Sequence, residues 1–267
     1  MSPETGCVSV ISRDGLIKDV VAKTGRPNGM VVDSHGTLWV AESMNPPSLK
    51  KVELSGSSES IITGGDGVEF LFPNDLAFGP DGALYMTDSG ISRPVFQQER
   101  ETGRLNSKID GKVFRIDLAS KSAIVLDDGL QFANGLAFGL DDALYVTTTL
   151  NGLVYRYDWK HDGTLGPREE FTDLVDRNHG SSFIGGDGLA VGMNGFLYCA
   201  VVGQGDVTVV DTDGRVVERI IVGGDQPTNV AFGPRDSGDL YVTVKDVGTF
   251  ERYKIGIAGR PLHVSIV

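Results

Sequence analysis

Five stretches of the sequence set one small polar side chain at the same point of a shared framework. They are RPNGMVVDSHGTLWVAE (26–42), FPNDLAFGPDGALYMTD (72–88), FANGLAFGLDDALYVTT (132–148), GGDGLAVGMNGFLYCAV (185–201) and QPTNVAFGPRDSGDLYVTV (226–244). The slot holds Asn28, Asn74, Asn134, Asp187 and Thr228. Neutral amide oxygens with one carboxylate suit a hard, oxygen-preferring cation, calcium first, with magnesium, manganese or zinc as weaker alternatives. An Asn before Gly at a strand start is also a turn residue. What favours the cation is the replacement of Asn by Asp187 in the otherwise matching Asp-Gly-Leu-Ala-Val, because a hairpin needs no charge there and a divalent ion does.

The elements that must position these residues follow from the repeat. In the second copy NDLAF leads into Gly-Pro-Asp-Gly, whose residues suit a tight turn, and ALYMTD resumes as a strand. Two more strands follow, GKVFRIDL and SAIVLDD, and comparable pairs follow the other copies. Four strands repeating at roughly 40 to 60 residues is a propeller blade. The expected fold is therefore all-β, a single domain over 1–267 forming a six-bladed β-propeller: five full four-stranded blades plus a partial blade formed by the termini. CVSVIS and LIKDVVA supply its outer strands, while GTFERYKIGI and RPLHVSIV read as outer strands of the last blade. In this topology the loop before each first strand and the loop after each second strand share the slot face, where loops on a rigid scaffold carry function.

That rule sorts the remaining candidates. His35 and His161 fall in turns on the opposite face and His263 in the terminal strand, whereas His179, in DLVDRNHGSSFIGG, opens toward the channel mouth as a candidate catalytic base. Glu42 and Asp88 end second strands on the slot face, where they either support the cation or are solvated or bonded to nearby backbone. The insertion Ser89 to Gly111 reads as a long loop on the same face, with Arg93 as a substrate contact. Cys7 and Cys199 have no metal-ligand spacing, and Cys199 reads as a small buried residue. No Gly-x-Ser-x-Gly elbow occurs, so a serine hydrolase is disfavoured.

A formal charge of −12 and a pI near 4.7 argue against nucleic acid as a partner. No apolar run nears the roughly 20 residues of a spanning helix, and the N-terminus lacks a signal-peptide pattern, so the expectation is a cytoplasmic protein, monomer or homodimer, acting on a small molecule.

The pattern PNDLAFGPDGALYMTD, ANGLAFGLDDALYVT, GGDGLAVGMNGFLY and QPTNVAFG with DLYVT resembles the senescence marker protein/gluconolactonase/luciferin-regenerating-enzyme family over residues 7 to 260. The resemblance implies a six-bladed propeller with one divalent cation at the channel mouth, held by Asn74, Asn134 and Asp187, and hydrolysis of a small lactone or ester. Lewis-acid polarisation of the carbonyl and activation of water would be joined by proton handling at Asp187 or His179, with Asn28 and Thr228 near the ion. The sequence departs from the family in lacking the Glu-Gly-Pro motif whose glutamate is the fourth ligand; Glu4 precedes Thr-Gly instead. Either the sequence starts inside the first blade, or the ion is held by fewer protein ligands, or it has been dropped. The competing readings are a non-hydrolytic propeller enzyme, a lyase or cyclase, and a ligand-binding propeller without catalysis.

Overall fold

The structure, a computed structural model, describes residues 6–12, 14–181 and 183–265. Glu4 lies outside them. The described residues divide into two compact units, one running to Leu130 and taking in the segment from His263, the other spanning Gln131–Leu262. Both are built from antiparallel meander sheets in which each strand pairs with the next in sequence, the blades of a β-propeller.

In the first unit β1 (Cys7–Ile11) and β2 (Lys18–Lys23) form a two-stranded sheet. The first blade comprises β3 (Pro27–Val32), β4 (Leu38–Glu42), β5 (Ser48–Val52) and β6 (Ser58–Ile62). A short hairpin, β7 (Gly64–Gly65) and β8 (Val68–Glu69), leads to the second blade. That blade comprises β9 (Pro73–Phe78), β10 (Leu84–Asp88), β11 (Gly111–Asp117) and β12 (Ser122–Leu130), with helix α1 (Arg93–Thr102) between β10 and β11.

The second unit holds β13 (Ala133–Phe138), β14 (Leu144–Thr148), β15 (Leu153–Tyr157) and β16 (Glu169–Asp173), followed by β17 (Gly185–Val191), β18 (Leu197–Val202), β19 (Asp206–Val210) and β20 (Val216–Ile221). Its last sheet has three strands, β21 (Pro227–Phe232), β22 (Asp239–Val244) and β23 (Thr249–Lys254). The stretch RPLHVSIV forms no strand over its described residues, so the last blade is one strand short of expectation and His263 is not in a strand. Gly259 makes only an isolated bridge to Gly192.

Alternating side chains fill the layers between sheets. Trp39, Leu49, Leu76, Leu84, Met86, Phe114 and Ile116 form one core in the first unit. Val154, Leu174, Leu189, Leu197, Cys199 and Val210 form another in the second, where Cys199 is fully buried. Each large aliphatic or aromatic side chain so buried contributes roughly 1.5–3 kcal/mol. The result is a stiff frame under the loops. Among the described residues no helix is long and apolar enough to cross a membrane.

The insertion between β10 and β11 is helical rather than an irregular excursion. Pro94 in its first turn, after Ser92 in the N-cap position, starts α1; Gly103, with φ 67°, ends it and donates to Arg100 O. Phe96 is buried, and Glu99 accepts the backbone N–H groups of Asn106 and Ser107, which folds the return segment of the insertion back onto the helix.

Candidate functional site

The slot residues do not sit in turns. Pro73 pairs with Asp88 and Leu76 with Met86, so Asn74 and Asp75 together face Thr87, which is a β-bulge. The same two-against-one pairing sets Asn28 and Gly29 opposite Ala41, Asn134 and Gly135 opposite Thr147, and Asp187 and Gly188 opposite Ala200. Near Thr228 the register also slips. A bulge re-aims a side chain that ordinary alternation would bury between sheets.

The glycine that follows three of the five slots, at 29, 135 and 188, has its own cause. A Cβ on Gly29 would stand 2.6 Å from Asp75 Cα, one on Gly135 2.5 Å from the Asp187 carbonyl oxygen, and one on Gly188 2.1 Å from Asn229 Oδ1. First strands of successive blades thus pack backbone to backbone, β3 on β9 in the first unit and β13 on β17 on β21 in the second. This brings Asn28 beside Asn74, and Asn134 beside Asp187.

In the second unit Asn134 is 4% exposed and its Nδ2 donates to Thr149 Oγ1 at 2.9 Å. The Thr149 hydroxyl in turn donates to Gly186 O at 2.8 Å, so it can only accept from Asn134, and the amide is held with its nitrogen on Thr149 and its oxygen on the other side. Thr147 Oγ1 donates to the Asp187 carbonyl at 2.6 Å, which fixes the bulge that carries the half-buried Asp187 carboxylate. Thr228 Oγ1 lies 2.8 Å from Thr243 Oγ1. One oriented amide oxygen and one carboxylate fit a hard cation. Among the described residues no three His, Cys, Asp or Glu side chains gather as a metal cluster, so a cation here would draw on amide oxygens.

In the first unit Asn74 Nδ2 donates to Ser89 Oγ and Asn74 Oδ1 accepts Asn28 Nδ2, both at 2.9 Å. Glu42 and Asp88 are spent on backbone. Glu42, fully buried, accepts from Gly25, Arg26 and Met44, and Asp88, 3% exposed, accepts from Leu71, Phe72 and Gly90. Each clamps the loop entering its blade. Burial pushes the Asp88 carboxyl up, against the pull of those three N–H groups. Asp246 clamps Asp225 and Gln226 in the same way in the second unit.

His179 lines a cleft of about 390 Å³ with Asp176, Gln204, Asp206, Arg219 and Asp225. Arg93, at the start of α1, places its guanidinium 5.3 Å from the centre of the Phe72 ring, at the entrance to β9. Thr149, Ser89 and Gln204 were not singled out from the sequence. A signal existed for two of them: the residue just past each second strand is Ser43, Ser89 and Thr149 in the first three copies.

The chain is 32% identical over 241 residues to the 6-deoxy-6-sulfogluconolactonase of Pseudomonas putida, covering 90% of this chain and 68% of that protein. Matches to several other curated relatives cover between 34% and 66% of those proteins. Among solved structures it resembles the Xanthomonas campestris gluconolactonase (TM-score 0.74, 24% identity, 95% of this chain and 79% of that one). It also resembles regucalcin, a calcium-binding protein of Agrobacterium tumefaciens (TM-score 0.74, 20% identity, 94% and 83%). These likenesses establish the fold. Residues 50–246 match the family described as the SMP-30/gluconolactonase/LRE-like region, and with that match spanning more than half of its length the chain belongs to this family.

Proposed function

We propose that the protein is a hydrolase of a small lactone or ester, aided by one divalent cation, calcium first, at Asn134 and Asp187. The observation that carries this reading is the Asn134 amide, its nitrogen held on Thr149, on a strand packed against the one that bears Asp187. The share of Asn74 rests on the family resemblance. Relatives named as sulfogluconolactonase, gluconolactonase and pentonolactonase support the lactonase class, and the calcium-binding neighbour supports the cation.

When bound, such a cation polarises the acyl carbonyl and lowers the pKa of water. The chain's own residues do the rest. Asp187 supplies the one full negative charge at the slot positions, which sets the affinity for a 2+ ion. His179 takes the proton from the attacking water as its oxygen bonds to the acyl carbon. It returns that proton to the ring oxygen as the acyl–oxygen bond breaks, releasing an open hydroxy acid. Neither Asn134 nor Asp187 lines the cleft that holds His179, so on this reading the substrate reaches from the cation to that cleft.

Proton release from a neutral aldonolactone, followed at constant pH, tests the reading. Activity should vanish on chelation and return with calcium, zinc, magnesium or manganese. Turnover unaffected by chelation would overturn the cation's role, and substrate loss without hydroxy acid would mark a non-hydrolytic reaction.

A further inference from the structure

The turn Gly203-Gln204-Gly205, between β18 and β19, ties down both loops that border the cleft. Gly203 N donates to Asp225 O at 2.7 Å, which fixes the segment entering β21. Gln204 Oε1 accepts Asp176 N at 2.7 Å, which fixes the segment leaving β16. The Gln204 side chain is 5% exposed and its Nε2 donates to Asp206 Oδ2 at 2.9 Å. Asp206 is itself 2% exposed; its carboxylate accepts Thr208 Oγ1 at 2.7 Å and lies 3.5 Å from Arg219 Nη1. Arg219 Nη1 also donates to Leu174 O at 3.1 Å. The segment Leu174 to Asp176 is therefore gripped at one carbonyl and one amide by side chains rooted in β20 and the turn between β18 and β19.

From Asp176 the order passes on. Asp176 O accepts His179 N at 3.0 Å and Asp176 Oδ1 accepts Asn178 N at 2.9 Å, a local turn that presents the His179 ring to the cleft. The turn at Gln204 needs only its two glycines, with φ of 81° and 74°. A buried amide between them is costly unless its polar atoms are paired, and two of its partners, Asp176 N and Leu174 O, belong to the loop that carries His179.

We propose that Gln204 is a positioning residue that sets where His179 stands over the cleft. Its effect on rate rests on the lactonase reading above; its effect on the loop does not. Gln204→Ala removes the acceptor for Asp176 N. Gln204→Glu keeps that acceptor but sets a second carboxylate against Asp206, and adding Asp206→Asn restores the donor–acceptor pair with its polarity reversed.

The test is amide exchange and His179 imidazole NMR on the full chain, with lactone turnover in parallel. In Gln204→Ala the amides of Asp176 and His179 lose protection and the His179 ring signals shift, while amides in β17 and β18 keep theirs. The value of kcat/KM falls about tenfold to a hundredfold, the scale of a displaced catalytic group. Combined with His179→Ala the loss does not add, whereas a merely structural role gives additive losses. Gln204→Glu with Asp206→Asn recovers protection and turnover relative to Gln204→Glu alone, and this pair carries the test if Gln204→Ala does not fold. Unchanged exchange at Asp176 and His179, or additive losses, overturns the proposal. If no variant and no wild-type protein turns over any lactone, the hydrolase reading fails, and the exchange and imidazole signals still decide the positioning claim.

Discussion

The carbonyl oxygen of Asp187 lies 2.5 Å from the point where a Cβ on Gly135 would stand. Gly135→Ala therefore drives two inner strands apart at the residue that supplies the carboxylate. The expected cost is about 1–3 kcal/mol of stability, the usual range for overpacking, with weaker cation binding. Thermal unfolding and calcium titration of the variant check both.

Thr149 holds Asn134 without being one of the proposed ligands itself. Because its hydroxyl is what turns the Asn134 amide, Thr149→Val should weaken cation affinity about tenfold to a hundredfold, the scale of second-layer ligand support. Thr149→Ser should keep most of it. Calorimetric titration of the three proteins with calcium is the measurement.

Glu42 is a clamp, and its loss should appear as lost stability. Glu42→Ala leaves the half-buried amides of Gly25, Arg26 and Met44 without their acceptor, at a cost of about 1–3 kcal/mol. Lactone turnover per folded molecule should be preserved, which unfolding curves and turnover on the same samples separate.

Acid should loosen the loop into β21 before it unfolds the sheets. Asp246 is held below the ordinary 3.8 by the Asp225 and Gln226 amides, against a smaller opposing pull from burial. A depressed folded value means that the clamp is complete above the unfolded value and is lost as pH falls through the folded one. Amide exchange at Asp225 and Gln226 should therefore speed up below pH 3.8, and Asp246→Asn should remove this pH dependence.

Arg93 stands over Phe72 at the mouth of β9. If it contacts substrate, Arg93→Ala raises KM about tenfold, the lower end of what a hydrogen bond to a charged group is worth, and leaves kcat alone. An unchanged KM assigns Arg93 to packing of α1.

The blades were legible because period-two patterning and Gly-rich turns recur in each copy, and the slot residues stood out by comparing copies. The bulge was not legible. Asn-Gly reads locally as a turn, and only the strand pairing shows that Asn134 and Gly135 share one partner. Helix α1 carried its own signals, Ser92, Pro94 and Gly103, but the charged run between them reads equally as a solvated loop. The sequence leaves the roles of Glu42 and Asp88 open among cation support, solvation and backbone bonding, since a strand-end carboxylate looks the same in each case until its N–H partners are seen. Gln204 had no sequence signal, because its partners lie 28 residues upstream at Asp176 as well as two downstream at Asp206.

On the proposed reading Asp187 holds the cation on which lactone opening depends. The most direct measurement is calcium titration and aldonolactone hydrolysis on wild type and Asp187→Ala purified without chelator. One divalent ion per wild-type chain, with both binding and hydrolysis lost in Asp187→Ala, is the predicted result; hydrolysis and cation content unchanged in Asp187→Ala would contradict it.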